Sequence, residues 1–325
     1  MTTPLLQVSE LRKSYSLAGG SFFTGGERFH ALDGVSFIVK AGETVGLIGE
    51  SGSGKSTLGR IIAGLQRPDS GEVRFRGQEI QDLSPRAFSS QRRAIQMIFQ
   101  DPNSSLNPRF TMEETLQEPL IGFGLGDRRG RSRRIREMLP VVGLEESILS
   151  RYPHQLSGGQ KQRVAILSVI MVEPELIIAD EIVSALDLSV QAQILNLWHQ
   201  LQSTPQAANI PTQSEVIPPA TLFISHDLKV VAWLADRILV IYSGQIVEEG
   251  TVNEICLSAS HPYTRMLFRE SARTGFKEER ASQDHARGSC IFYGRCQQRI
   301  DRCVNQSPPY KQLSPDHRVR CHIVE

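Results

Sequence analysis

An apolar run, Val45-Gly46-Leu47-Ile48, ends in Gly49-Glu50-Ser51-Gly52-Ser53-Gly54-Lys55-Ser56-Thr57, and an amphipathic stretch with Leu58, Ile61, Ile62 and Leu65 follows. Glycines at this spacing let the backbone curl so that successive N–H groups face a phosphate, and the helix behind them adds its partial positive end. Lys55 would reach the β- and γ-phosphates of a nucleotide and Ser56 its Mg²⁺. A second apolar run, Leu176-Ile177-Ile178-Ala179, delivers Asp180 and Glu181 where α/β sheets hold their ligands. Asp180 would hold the Mg²⁺ shell, and Glu181 would orient and deprotonate a water that attacks the γ-phosphate. Leu156-Ser157-Gly158-Gly159-Gln160 opens another helix with a glycine pair, so the chain offers two phosphate-binding helix ends. His226 closes a third apolar run, Leu222-Phe223-Ile224-Ser225, within reach of a γ-phosphate, and Tyr15 ends a first strand as a ring that could stack on adenine.

Positioning these residues requires an alternation of strands and helices. Residues 5–15, 35–39 and 71–77 read as strands, and a Gly-rich loop is expected over 16–30. Ile95-Gln96-Met97-Ile98-Phe99-Gln100 reads as a buried strand ending in a polar residue, and from 101 to about 165 the pattern turns helical. Six arginines over 127–136 read as the solvated face of a helix, and the four-proline stretch 203–220 as a surface insertion without chemistry. A net charge of +1 favours neither nucleic acid nor an anionic membrane, and nothing reaches the ~20 uncharged apolar residues of a membrane-spanning helix. Membrane association would therefore come through a protein partner. Cys256 is expected to be a core thiol.

The set of motifs resembles the ATPase subunits of ABC transporters. Gly49 to Ser56 resembles their Walker A loop, Gln100 the Q-loop, which contributes to Mg²⁺ binding and coupling, Leu156 to Gln160 the signature, Asp180 and Glu181 the Walker B pair, Ser184-Ala185-Leu186-Asp187 the D-loop and His226 the switch histidine. Gln100 to Arg109, Leu188 to Leu195 and His261-Pro262-Tyr263-Thr264-Arg265 are similar to the peptide and nickel importer branch. Ile182-Val183 and Leu167-Ser168-Val169 depart from that pattern, which usually has Pro-Thr and Ala-Arg-Ala there, so altered local packing is expected. The resemblance implies an α/β P-loop NTPase core over 1–255, a helical subdomain near 101–165 and a small cysteine-containing extension over 256–325. It implies ATP hydrolysis driving import of oligopeptides or dipeptides, with nickel or another small solute as the alternative and a soluble ATPase without a permease as the rival class. It also implies a second, non-identical ATPase subunit, two permeases, an extracytoplasmic solute-binding protein, and a peripheral place on the cytoplasmic face of the membrane.

Cys290, Cys296, Cys303 and Cys321 crowd the end of the sequence, with gaps of five, six and seventeen residues. Structural zinc usually brings its first pair closer, so the spacing fits that template poorly while leaving zinc and free thiols open. Four thiolates can also hold a [4Fe–4S] cluster, and the resemblance implies one, because some peptide importers carry four such cysteines proposed to bind it.

Overall fold

The structure is a computed structural model that describes residues 3–16, 28–81, 83, 91–184, 186–203, 217–271 and 288–324. Its strands are β1 (Leu6–Ser16), β2 (Arg28–Val39), β3 (Thr44–Ile48), β4 (Ser70–Phe75), β5 (Gln78–Glu79), β6 (Ile95–Ile98), β7 (Leu176–Asp180), β8 (Ala220–Ser225), β9 (Arg237–Tyr242), β10 (Gln245–Thr251), β11 (Tyr310–Gln312) and β12 (Arg318–Arg320). Two compact units divide the chain, one formed by residues 1–83 together with 222–325, the other by 84–221.

In the first unit β2, β1, β4 and β5 form an antiparallel sheet, and a second sheet carries β11, β12, β10, β9, β3 and the end of β8 in that order. Every residue of β3, β8 and β9 is buried. This is the continuous apolar signature of parallel strands covered on both faces, and β3 pairs parallel to β9, with Val45 opposite Arg237 and Ile48 opposite Val240. The antiparallel β10 and β12 then extend the sheet into the C-terminal region. Helix Lys55–Ile62 turns Leu58, Ile61 and Ile62 inward as its spacing predicts, whereas Leu65 lies beyond the end of the helix and is 59% exposed.

The second unit holds the parallel pair β6 and β7 and a set of helices: Pro102–Ser105, Met112–Gly122, Arg128–Met138, Gly158–Ile170 and Leu188–Ser203. Thr111 and Ser157 cap two of them reciprocally with Glu114 and Gln160 at the third helical position. Asp127 caps the arginine-rich helix, which buries only Ile135 and Met138 and turns its arginines to Glu137, Glu146 and Glu173. The solvated-face reading of that helix holds.

Two expectations change. β2 begins at Arg28 rather than Val35 because His30 to Asp33 pair with Arg12 to Ser14 of β1 through bulged registers, which hides the alternation from a period-two reading. The loop and insertion expected over 16–30 and 203–220 fall largely on 17–27 and 204–216, outside the described residues. Cys256 is half-exposed on helix Val252–Ser258 rather than in the core. Ile182, Val183, Leu167 and Val169 are all buried, and Ser168 donates its hydroxyl to the carbonyl of Ala165 at 2.7 Å. The departures at these positions are therefore apolar packing and a satisfied polar group.

Candidate functional site

The phosphate loop packs against neighbouring strands so closely that Gly49 and Gly54 leave no room for a side chain, whereas a Cβ on Gly52 would meet nothing within 4 Å. A Cβ on Gly49 would stand 2.2 Å from the carbonyl oxygen of Ile241 in β9, and one on Gly54 2.2 Å from that of Ala31 in β2. Gly54 also needs a φ of +106°, in the left-handed region. The β9–β10 turn pins the loop further, Gly244 N–H donating to Ser53 O at 3.0 Å. Lys55 is buried, and its ammonium donates to the carbonyls of Gly49 (2.7 Å) and Glu50 (2.8 Å). Ser53 Oγ is buried and has no hydrogen-bond partner among the described residues. A buried hydroxyl left over in a tight glycine loop suits a phosphate oxygen. Ser51 and Gly52 are both exposed positions of the same turn, and Ser56 and Thr57 lie half-buried in the first turn of the helix.

Glu50 is held by residues from the C-terminal part of the chain. Its backbone N–H donates to the hydroxyl of Tyr263 at 2.9 Å, and its carboxylate accepts from Arg295 Nη1 at 2.7 Å. Tyr15 is a little over a third exposed, with its hydroxyl bonded to the Gln66 amide and the Lys13 ammonium 5.9 Å from its ring centroid. His226 is exposed directly after β8.

In the second unit Asp180 is buried at the end of β7. Glu181 follows with φ +48°, a conformation that L-residues adopt at a cost of about 1–3 kcal/mol. Its carboxylate accepts from Gln100 Nε2 at 2.7 Å, and its carbonyl from Ser184 Oγ at 3.0 Å. Two residues 81 apart, each singled out separately from the sequence, thus meet. Ala185 of the D-loop stretch lies outside the described residues.

Ser157 caps helix Gly158–Ile170. A Cβ on Gly158 would stand 3.4 Å from Leu186, an ordinary contact, whereas one on Gly159 would stand 2.5 Å from Val190 Cγ1. The sequence reading gave both glycines to anion approach. Gly159 has a packing reason as well.

The four tail cysteines are free and buried, each 5–7% exposed. Cys290 N–H donates to Cys303 O at 2.9 Å. Burial, together with the neighbouring Cys303, Cys321 and Cys296 sulfurs, pushes the Cys290 thiol up to about 11. Burial likewise raises Cys296 and Cys321. Yet among the described residues no group of three or more His, Cys, Asp or Glu is placed to hold a metal ion. The thiols are neighbours, but as they stand they do not fit an iron–sulfur ligand set.

A glycine loop closed on its own carbonyls, a buried aspartate followed by a strained glutamate, and a capped glycine-pair helix define an ABC-type ATPase cassette. Residues 32–184 match the family described as ABC transporter, and residues 247–303 that described as oligopeptide/dipeptide transporter, C-terminal region. The chain is 39% identical over 331 residues to the oligopeptide transport ATP-binding protein AppF of Bacillus subtilis, covering 98% of this chain and 97% of that protein. It is 39% identical to the dipeptide transport ATP-binding protein DppF of Escherichia coli, covering 99% and 95%. The cassette MJ0796, solved as a dimer in a post-hydrolysis state with ADP and Pi, superposes with a TM-score of 0.65 at 31% identity, over 76% of this chain and 98% of that one. CbiO1 of Clostridium perfringens gives 0.63 at 26%, over 78% and 90%. The chain belongs to the ATP-binding subunits of ABC transporters, in the branch that carries the oligopeptide/dipeptide C-terminal region. It is an ATPase. Among the described residues no helix is long and apolar enough to cross a membrane.

Arg295 and Tyr263 are neighbours of the phosphate loop that no motif in the sequence reveals. Arg295 stands 245 positions from Glu50, and nothing in the local pattern of either residue points to the other.

Proposed function

We propose that this chain powers the import of short peptides through a membrane permease. The observation that carries the reading is the oligopeptide/dipeptide C-terminal region, joined to a cassette that keeps every group hydrolysis needs. In this reading Gly49 to Thr57 bind the phosphates, Tyr15 the adenine, and Lys55 the β- and γ-phosphates. Ser56, Asp180 and Gln100 would hold Mg²⁺, whose chemistry is to offset phosphate charge as the γ-phosphate leaves. Oxygen donors with one buried carboxylate suit that hard cation. Glu181 takes the proton of the attacking water, and His226 steadies the γ-phosphate. Ser157, Gly158, Gly159 and Gln160 serve the nucleotide of a partner subunit, so hydrolysis requires a pair.

The hydrogen bond from Gln100 occupies a Glu181 oxygen, so base and coupling residue change partners together. The partners of the reading are a second, non-identical ATPase subunit, two permease subunits and an extracytoplasmic binding protein, which would put the chain on the cytoplasmic face of the membrane. In this reading residues 1–255 form the ATPase core, 101–165 its helical part and 256–325 the importer-type extension. A [4Fe–4S] centre on the four tail cysteines is its finest part, supported by their common burial and requiring side-chain movement. Iron and sulfide in equal amounts after anaerobic purification support that part, and stoichiometric zinc or bare thiols refute it.

The test of the main reading uses Glu181→Gln in the assembled transporter. Its expected result is retained MgATP binding with at least a hundred-fold loss of ATP turnover and of peptide uptake into vesicles. Uptake at the wild-type rate overturns it.

A further inference from the structure

A carboxylate is an odd neighbour for a loop that must receive the several negative charges of a nucleotide. Glu50 is one, and it is 7% exposed. An unpaired buried carboxylate beside the phosphates would repel them with little screening. The C-terminal extension supplies its counter-charge. Arg295 Nη1 donates to Glu50 Oε2 at 2.7 Å, with both side chains largely shielded from solvent. Burial disfavours the Arg295 cation, but the hydrogen bond and charge of Glu50 outweigh it, so the guanidinium is held firmly charged.

Arg295 is itself held in place. Its guanidinium lies 5.9 Å from the ring centroid of Tyr242 and 6.0 Å from that of Phe292, and Nη2 approaches Met266 Sδ at 3.7 Å. Tyr242 and Phe292 meet edge to face at 5.2 Å, and Tyr263, 4.5 Å from Tyr242, accepts the Glu50 N–H through its hydroxyl. The turn bearing Arg295 is closed by Tyr293 N–H to Cys290 O at 3.0 Å and Cys296 N–H to Phe292 O at 3.0 Å. Two buried cysteines thus bracket the segment that carries the cation.

We infer that Arg295 is a positioning residue of the ATP site, through which the cysteine-bearing extension neutralises Glu50 and turns its carboxylate away from the phosphates. The inference rests on the assignment of residues 49–57 as the ATP loop. The extension then belongs to the nucleotide site, and a chain whose extension is not folded binds ATP poorly even with an intact phosphate loop.

The experiment measures MgATP dissociation constants of the full chain by equilibrium dialysis, alongside thermal midpoints, for the wild type, Arg295→Ala, Arg295→Lys, Glu50→Gln and Arg295→Ala/Glu50→Gln. Arg295→Ala is expected to weaken binding about ten-fold, and removing the Glu50 charge in that background to restore it to within about three-fold of wild type. A purely structural arginine would show no such rescue. Unchanged binding by Arg295→Ala, or a double variant no better than Arg295→Ala, overturns the inference. Should Arg295→Ala not fold, Arg295→Lys against Arg295→Lys/Glu50→Gln carries the same comparison, with equal dissociation constants as the refuting result. Failure of the wild type itself to bind MgATP would instead sink the assignment of the loop.

Discussion

Replacing Gly159 by alanine should destabilise the subunit, while the same change one residue earlier should not. Both glycines open helix Gly158–Ile170, so each alanine gains up to about 1 kcal/mol of helix propensity, less in a first turn. They differ in what the new methyl meets. At Gly158 it makes ordinary contact with Leu186 at 3.4 Å, and at Gly159 it falls 2.5 Å from Val190 Cγ1. Carbon atoms rest at about 3.5–4.0 Å, so an ångström or more must be relieved. Val190 is half-buried at the start of helix Leu188–Ser203. Turning it off its rotamer costs about 0.5–1.5 kcal/mol, and the accompanying backbone shift brings overpacking to about 1–3 kcal/mol. The two alanine variants should therefore differ by about 2 kcal/mol, or roughly 0.6 M in urea midpoint at the ~3 kcal/mol/M or more expected of a chain this long. The assay is urea unfolding of the full chain without nucleotide, which separates packing from any role of the turn in hydrolysis. Val190→Ala removes the obstructing methyl, so in a double-mutant cycle it should couple to Gly159→Ala by at least ~1 kcal/mol. Equal midpoints for the two glycine variants, or no coupling to Val190, would refute the packing argument.

Gly54→Ala should both lower the thermal midpoint and abolish MgATP binding, since its Cβ would stand 2.2 Å from a backbone carbonyl at φ +106°; retained binding would count against the loop geometry. His261 is almost fully buried, its Nδ1 accepting the Tyr263 N–H, and burial, aided by Arg265, lowers its pKa to about 3. The folded pKa lies below the unfolded value, so the neutral ring contributes stability that is present above about pH 6.5 and lost as pH falls toward 3. The loss is ~1.4 kcal/mol per pH unit, and His261→Gln should flatten the unfolding free energy over that window. Cys290, Cys296, Cys303 and Cys321 are buried and free, with burial raising Cys290, Cys296 and Cys321 above the usual thiol range. A thiol-directed disulfide reagent at pH 8 should react with half-exposed Cys256 first and with the other four only on unfolding. Five thiols titrating together in the native protein would contradict their burial.

The chemistry was legible in the sequence wherever one strand end or one helix start carries it. Lys55 and Ser56 follow an apolar strand, and Asp180 and Glu181 end one, because a buried parallel strand must deliver its polar residues at its tip. Relations across the chain were not legible. The Gln100–Glu181 bond could be anticipated only as two residues sharing one expected function, and the Arg295–Glu50 pair not at all. Neither local period nor composition encodes which distant turn lands on a loop. The start of β2 was hidden because bulges break its alternation, and the tail cysteines could be counted but not arranged.

The unit that holds the phosphate loop is discontinuous, built from residues 1–83 and 222–325. Its strand β3 takes a parallel partner in β9, where Val45 meets Arg237. On the ribosome those partners are made far apart in time. At roughly 5–20 residues per second, β3 emerges about ten seconds or more before the strand that will cover its edge. Through that interval Val45, Leu47 and Ile48 form an apolar strand that lacks β9 and, until β8 is made, its other sheet neighbour as well. The ATP-binding half of the molecule is thus the last to be completed during synthesis, and the growing chain has to be kept from pairing that edge with another copy until β9 arrives.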